Sequence, residues 1–368
     1  MKLAFAPNSH GASNAPAFRF GEGGMAHNND KLTRRAALRG ATALGLTGLG
    51  SSRVIAQGGP AVLSDTKLTV TGYFRSPSFL VAGLKGFFAR ERLDVEFHLV
   101  RLAPEHNEGL AQGRWPITLS SIDTMLARTT QDGVDFVAFM ESDEGLSVQL
   151  VVRPEIKTFA DLRGKLFAAD PVDSNYDLIR NKIMRDQGVT ENEYKIEILG
   201  NSSVRAAAFE AGKVDAAMLQ PPFSERAIAK GGVVLAEGDK YVPNWPLVCG
   251  WGLRRWFEAN RSTVVRFTRA MASASDWVLK PENREETLQL VMKEEKQARA
   301  RAEAAYSYVV PKAMINPESV RKNIELRIEL GYYKPPHKPT EAFYDASYWA
   351  EATGQPAPAP AGKPRNAA

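Results

Sequence analysis

Cysteine is nearly absent: Cys249 is the single one among 368 residues. This excludes an intramolecular disulfide and any zinc site built from several thiolates. Histidine is scarce too, and beyond residue 56 only His98, His106 and His337 occur. They form no HExxH motif or other clustered ligand spacing. His98 and His106, eight residues apart, can meet around a metal, and isolated surface positions are the plainer reading. No GxSxG elbow and no phosphate-binding GxxxxGK[ST] loop is present, so hydrolase and nucleoside-triphosphate readings find no support. A surplus of one charge is also missing from the body of the chain. Lys plus Arg number 47 and Asp plus Glu 42, and residues 1–56 hold seven of the basic and two of the acidic side chains, leaving 40 of each. A neutral body without a basic stripe does not track nucleic acid. What remains is an ordinary globular composition, 44% apolar and 24% charged.

The sequence also lacks an apolar run long enough to span a bilayer, which takes about 20 residues. Its nearest approach, Ala41 to Leu49, is short and Gly-rich. It follows Thr33-Arg34-Arg35-Ala36-Ala37-Leu38-Arg39 and precedes the small-residue site Val54-Ile55-Ala56. Charge, a short apolar stretch and a small-residue site make up the layout of an export signal. The paired arginines resemble the twin-arginine motif, with Ala37 where an aromatic residue is usual. Residues 1–56 are therefore expected to be a cleaved signal, leaving about 312 residues to fold, a length that usually divides into two domains. Residues 351–368, rich in Ala, Pro and Gly, are expected to form a flexible tail.

Along the folded part, strand and helix periods alternate. Leu68-Thr69-Val70 alternates as a strand and a Gly/Pro break follows at 72–78. Leu80, Leu84, Phe87 and Phe88 recur at helical spacing, and Val95, Phe97 and Leu99 alternate again. Short apolar runs at 117–119, 134–139 and 146–152 predict buried strands. Residues 154–162 read as a crossing segment into a second α/β run. There, strands are predicted at 166–168, 195–199, 214–219 and 233–236, separated by helices at 174–187, 203–211 and 223–230. Ser174 with Asp177 three residues on has the form of a capping box. From Trp251 onward the pattern is mostly helical. One echo recurs at a spacing of 99 residues: Gly109–Ile117 and Ala208–Ala216 both read helix, Gly, basic residue, short strand. Two like-built α/β halves imply a cleft between lobes.

At this point the motifs resemble a family. Lys85-Gly86-Phe87-Phe88-Ala89-Arg90-Glu91-Arg92-Leu93-Asp94-Val95-Glu96 is similar to the KGLFxxEGLDVE stretch of substrate-binding proteins of ABC importers, of the nitrate/sulfonate/taurine and thiamine-precursor (pyrimidine) type. Ala160–Lys165, Ala211–Ala217 and Gln220-Pro221-Pro222 agree in order and spacing, so the resemblance spans roughly 65–350. The chain departs from the pattern where Gln220 replaces a frequent Glu and Arg92 a usual glycine. The Cys-rich motif of related pyrimidine-synthesising enzymes has no counterpart. The resemblance implies an α/β, two-lobed periplasmic-binding-protein-like (type II) fold, each lobe a mixed sheet flanked by helices. Lobe 1 is then expected at 65–152, lobe 2 at 153–247, and the return into lobe 1 with the C-terminal helices at 248–350. It further implies a periplasmic solute-binding component without catalysis, metal or cofactor, monomeric, with a small organic ligand and a membrane permease as partners. A sensor that reports to a receptor, or an enzyme on the same fold, are the alternatives.

Candidate ligand positions follow the rule that open α/β sheets bind at the carboxyl ends of their strands. In the first half these are Phe74 (a stacking face), Arg75 (a planar donor fork), Ser76, Ser121, Asp123 and Thr124, with Glu141 of the same type. In the second half they are Ser174, Asn175 and Tyr176 at a helix N-terminus, and Gln220, which both donates and accepts. Trp245, like Trp251, can wall the cleft or fill the core. Arg75 and the helix end at Ser174 suit a sulfonate or carboxylate; Asp123 and Glu141 suit a cation or an amino-bearing heterocycle.

Overall fold

The computed structural model describes residues 66–100, 103–172 and 174–366. The expected signal at 1–56, with Arg34 and Arg35, lies outside them. The chain begins with β1 (Thr66–Gly72), a strand whose inward residues Leu68 and Val70 are buried. Ser76 then caps α1 (Pro77–Leu84), with Pro77 at the first helical position, where its missing N–H costs nothing. The single predicted helix over 80–88 is broken: Gly86, in the left-handed region at φ 73°, separates α1 from the short α2 (Phe87–Arg90). After β2 (Leu93–Leu99) come α3 (Ala103–Ala111), β3 (Ile117–Ser120), α4 (Ile122–Gln131) and β4 (Phe136–Glu144).

The chain then enters the second lobe. It runs through β5 (Gln149–Val152), β6 (Leu166–Ala169), α5 (Asn175–Asp186), β7 (Lys195–Ile198), α6 (Ser202–Glu210), β8 (Ala216–Leu219), α7 (Phe223–Ala229) and β9 (Val233–Glu237). It returns through β10 (Pro246–Leu253) and finishes in six helices: α8 (Arg254–Ala259), α9 (Arg261–Val278), α10 (Arg284–Glu294), α11 (Arg299–Ser307), α12 (Pro317–Glu329) and α13 (Ser347–Thr353).

Two five-stranded mixed sheets result, ordered β2-β1-β3-β10-β4 and β7-β6-β8-β5-β9. In each, three parallel strands are followed by one antiparallel strand and a fifth that runs with the first three. The two lobes are thus built to one plan, and the echo in the sequence marks equivalent corners. Gly113 and Gly212 both sit at φ 75°, ending α3 and α6. At each corner the residue after the glycine bonds back to the helix: Arg114 N to Gly109 O at 2.8 Å and Lys213 N to Ala208 O at 3.0 Å. A left-handed residue at this place closes the last helical carbonyls, which is why glycine stands there.

The first core joins Phe79, Phe88, Phe139, Phe257, Phe267 and Tyr348 between the first sheet and α1, α9 and α13. The second joins Phe167, Leu178, Ile179, Ile183, Tyr194 and Met218. Each such buried side chain contributes about 1.5–3 kcal/mol relative to exposure. Trp245 belongs to the second core at 3% exposure and Trp251 lies fully buried among Phe136, Ile324 and Phe343, so both take the packing role.

Two boundaries differ from expectation. The first crossing is Gly145–Val148, ahead of β5, so lobe 2 starts at Gln149 rather than 153. Residues 154–162 lie within that lobe, where Leu162 enters its core. The apolar run 146–152 read as one strand, yet only its second half pairs. The second difference is at the C-terminus. The expected loose tail lies against the helices: Thr340 Oγ1 donates to Gly362 O (2.6 Å), Arg365 N donates to Glu325 Oε1 (2.7 Å), and Pro364 is buried.

Arg92 explains itself in the backbone. It holds φ 55°, in the left-handed region, while its carbonyl accepts from Thr66 N at 3.0 Å. A Cβ in that region costs about 1–2 kcal/mol, and glycine gives back part of it through a freer unfolded chain. Arg92→Gly is expected to raise stability by roughly 1 kcal/mol, read as a higher denaturant midpoint at unchanged slope.

Candidate functional site

The carboxyl ends of β1, β3 and β4 leave the first sheet on one edge, and those of β6, β7, β8 and β9 leave the second sheet on one edge. Two connections join these edges: Gly145–Val148 from β4 to β5, and residues 238–245 from β9 to β10. The connections pair with each other, Gly145 N donating to Trp245 O and Gly238 N to Val148 O, both at 2.8 Å. The crevice between the edges is the ligand position that this topology provides. Two hollows lie elsewhere. One of about 490 Å³ is bounded by Glu144, Pro311, Asn316 and the C-terminal Pro358–Ala361; one of about 190 Å³ lies behind the second crossing at Tyr241, Trp245 and Asn323. Of the ligand positions named from sequence, only Trp245 lines either hollow.

On the first edge, Phe74 follows β1 and is 41% exposed. Arg75 beside it is already engaged, its Nε on Glu295 Oε1 at 2.7 Å and its Nη2 on Glu294 O at 2.9 Å. Ser76 is buried; its Oγ accepts from Phe79 N at 3.3 Å and meets Asp143. Ser121 caps α4, accepting from Asp123 N at 3.3 Å, and Thr124 is half-buried in the first turn. Asp123, expected at the ligand, turns into the protein instead. It is 1% exposed and ion-pairs with Arg327 of α12 at 2.5 Å. A carboxylate withdrawn that far from water requires such a cation.

β4 carries a buried acidic end made of Glu141, named from sequence, and Asp143, which the sequence did not single out. Glu141 Oε2 accepts from Asn316 N at 3.1 Å while its Oε1 is buried without a partner, and burial raises its carboxyl well above the usual range. Burial also pushes Asp143 up to about 7, against the lowering effect of its bonds to Ser142 and Ser76. The thiol of Cys249, in register with Glu141 on β10, is raised by burial and then by these carboxylates. His106 is not a surface residue. It is 2% exposed, its Nε2 lies 2.8 Å from Thr71 Oγ1, and burial, then His98, lowers it to about 4. Both histidine rings lie 5.5 Å from Trp115. Among the described residues no group of three or more His, Cys, Asp or Glu is placed to hold a metal.

On the second edge the structure brings Tyr176 and Gln220 together: the phenol donates to Gln220 Oε1 between the adjacent strand ends of β6 and β8. Ser174 caps α5, accepting from Asp177 N at 3.3 Å, and Asn175 Oδ1 accepts from Tyr176 N at 2.9 Å. Asp177, expected to complete a capping box, pairs with Arg180 at 2.6 Å and accepts from Tyr332 Oη at 2.7 Å. Arg205, absent from the sequence reading, underlies this edge. Fully buried, it meets Asp170 at 2.7 Å, donates to Met218 O at 3.1 Å, and lies over the Tyr176 ring with 5.1 Å to its centroid. An Arg in an Ala-rich helix gives no sequence sign of that task. Burial, the larger cause, raises the Tyr176 phenol despite Arg205, so Tyr176 is a neutral donor.

Comparison with known proteins agrees with this architecture. The alkanesulfonate-binding protein SsuA from Xanthomonas axonopodis, solved with MOPS, is 16% identical with a TM-score of 0.59, covering 74% of this chain and 96% of that one. The periplasmic aliphatic sulphonate-binding protein SsuA from Escherichia coli is 19% identical with a TM-score of 0.59, over 72% and 87%. The periplasmic nitrate-binding protein NrtA from Synechocystis is 14% identical with a TM-score of 0.61, over 78% and 88%. These likenesses establish the two-lobed periplasmic-binding-protein fold. No curated protein sequence matches the chain significantly. The family profile described as NMT1/THI5 like matches residues 75–284, more than half of the sequence, and the chain belongs to that family.

Proposed function

We propose that this chain is the solute-binding component of an ABC importer, exported to the periplasm as a monomer, where it captures a small organic solute between its lobes and presents the closed form to a membrane permease. The observation that carries this reading is the pair of like-built sheets joined at their carboxyl edges by two crossings bonded to each other. Such a joint permits the edges to approach as a hinge. Contacts made by both lobes to one solute exist only in the closed form, so binding shifts the population toward closure. Phe74, Ser121 and Thr124 on one side, with Ser174, Asn175, Tyr176 and Gln220 on the other, are the residues we assign to the solute. Arg75 and Ser76 stand behind them, held by Glu295 and Asp143. The paired arginines of the N-terminal segment and the binding proteins of the same fold support the export and transport roles. No catalytic step is part of the reading.

The test uses the lone cysteine to advantage. Cys249 is fully buried, so dyes attach at introduced thiols only. Glu105→Cys and Ser203→Cys place labels on exposed positions of the two edges. With sulfonates, aromatic acids, amines and pyrimidines offered in turn, the expected result is a shorter inter-dye distance with one class, and that compound recovered unchanged. Turnover of the compound replaces this reading with an enzyme; binding without a change in distance removes the hinge.

A further inference from the structure

Building on that reading, we propose that the crevice takes a molecule with an aromatic or alkyl body and a head that carries no negative charge. Ten large apolar side chains are exposed among the described residues, and six of them stand at the two carboxyl edges. Tyr73, Phe74 and Leu99 follow β1 and end β2, at 44, 41 and 53% exposure. Val172, Ile198 and Val204 follow β6, end β7 and open α6, at 66, 55 and 46%. Apolar residues scattered singly over a surface need no explanation, but a concentration on two facing edges does. A trap for a small hydrated ion has no use for them, whereas a ligand with an apolar body covers them on closure.

The charge at the edges points the same way. Among the described residues there, the two arginines already have carboxylate partners: Arg75 is held by Glu295, and buried Arg205 by Asp170. The end of β4 adds buried Glu141 and Asp143 to the first edge. The positive ends of α1, α4, α5 and α6 also face the crevice, yet cap oxygens of Ser76, Ser121, Ser174 and Asn201 already accept from their first-turn N–H groups. An anionic head would enter a site whose arginines are already paired and whose helix N-termini are already capped.

Calorimetric titration of the full chain tests this with matched compounds. Benzylamine, benzamide and benzenesulfonate share a ring and differ in head; butyl, pentyl and hexyl amides share a head and differ in body. The expected result is that benzylamine or benzamide binds at least tenfold more tightly than benzenesulfonate. Affinity for the amides should rise roughly fourfold per added CH₂, the ratio that about 0.8 kcal/mol per methylene gives. Phe74→Ala and Val172→Ala, both at exposed positions, are each expected to weaken the preferred compound about fivefold with the melting temperature unchanged. Tighter binding of benzenesulfonate, methanesulfonate or nitrate, no dependence on chain length, unchanged affinity in both variants, or no binding across the panel would each overturn the proposal. Lobe closure on nitrate or a small sulfonate would do so while leaving the hinged solute-binding reading intact.

Discussion

Arg327→Met is expected to cost about 3–5 kcal/mol, lowering the melting temperature by on the order of 10 °C, because it removes the cation from a buried ion pair. Arg327 is 0% and Asp123 1% exposed at the side chain, and the pair spans 204 positions of sequence at 2.5 Å. Neither group can recover its hydration when the other is lost, so the remaining carboxylate bears a desolvation cost that the guanidinium had offset. The consequence reaches past lobe 1. Helix α12 lies between the lobes, with Arg327 on α4 of the first and Leu326 in the core of the second. Glu329 O also accepts from Arg185 Nη1 of α5 at 2.8 Å. Loosening one side of α12 therefore frees the other. The paired substitution Asp123→Leu/Arg327→Met tests the cause: it is expected to recover at least half of the loss, since an apolar pair of similar bulk has no stranded charge. A single-variant cost below about 1 kcal/mol would show that water reaches the pair and that it belongs with ordinary surface bridges.

That same pair shows where sequence reading stops. Asp123 stands three residues after β3, in a place where a ligand acceptor is expected, and nothing local distinguishes it from one; its partner lies in a helix of the last third. The strands and helices were legible because their signals are local: alternation in β1 and β2, helical spacing in α5 and α9, glycine at the ends of α3 and α6. The strand order within each sheet was not read from the sequence, because it depends on which strands pair across long separations. Nor was the length of β4, because its last residues, Glu141-Ser142-Asp143-Glu144, break the apolar run although Glu141, Ser142 and Asp143 are buried. Polar residues satisfied by distant groups look like a loop when read alone. The C-terminal segment misled for a similar reason, since its anchors join backbone groups to Thr340 and Glu325, some 20–40 residues away. At the site, Tyr176 and Gln220 were each legible as edge residues, but their mutual bond, and Arg205 beneath them, depend on which strand ends are neighbours.

Gly145→Ala tests the joint on which the proposed closure depends, and a loss of about 2–5 kcal/mol is expected from two separate causes. The first is conformational. Gly145 holds φ 142°, a region that side chains bearing a Cβ rarely enter. The second is contact: a Cβ built there lies 2.3 Å from Cδ1 and 2.5 Å from Cε1 of Tyr308, so the ring must move. The backbone that carries the ring is pinned, because Glu144 N donates to Tyr308 O at 2.8 Å and Asp143 bridges Val309 in antiparallel fashion. Gly145 N in turn holds the second crossing through Trp245 O, so displacing this residue separates the two connections. Denaturant unfolding reads the stability, and the inter-dye distance reads the hinge, which is expected to lose its single ligand-free value. Adding Tyr308→Ala separates the causes: it removes the contact but not the backbone strain, so Gly145→Ala is expected to cost less in the Tyr308→Ala background than in the wild type, but still a measurable amount. Wild-type stability and an unchanged distance in Gly145→Ala would mean that the crossing tolerates a Cβ and that the hinge does not turn at this residue.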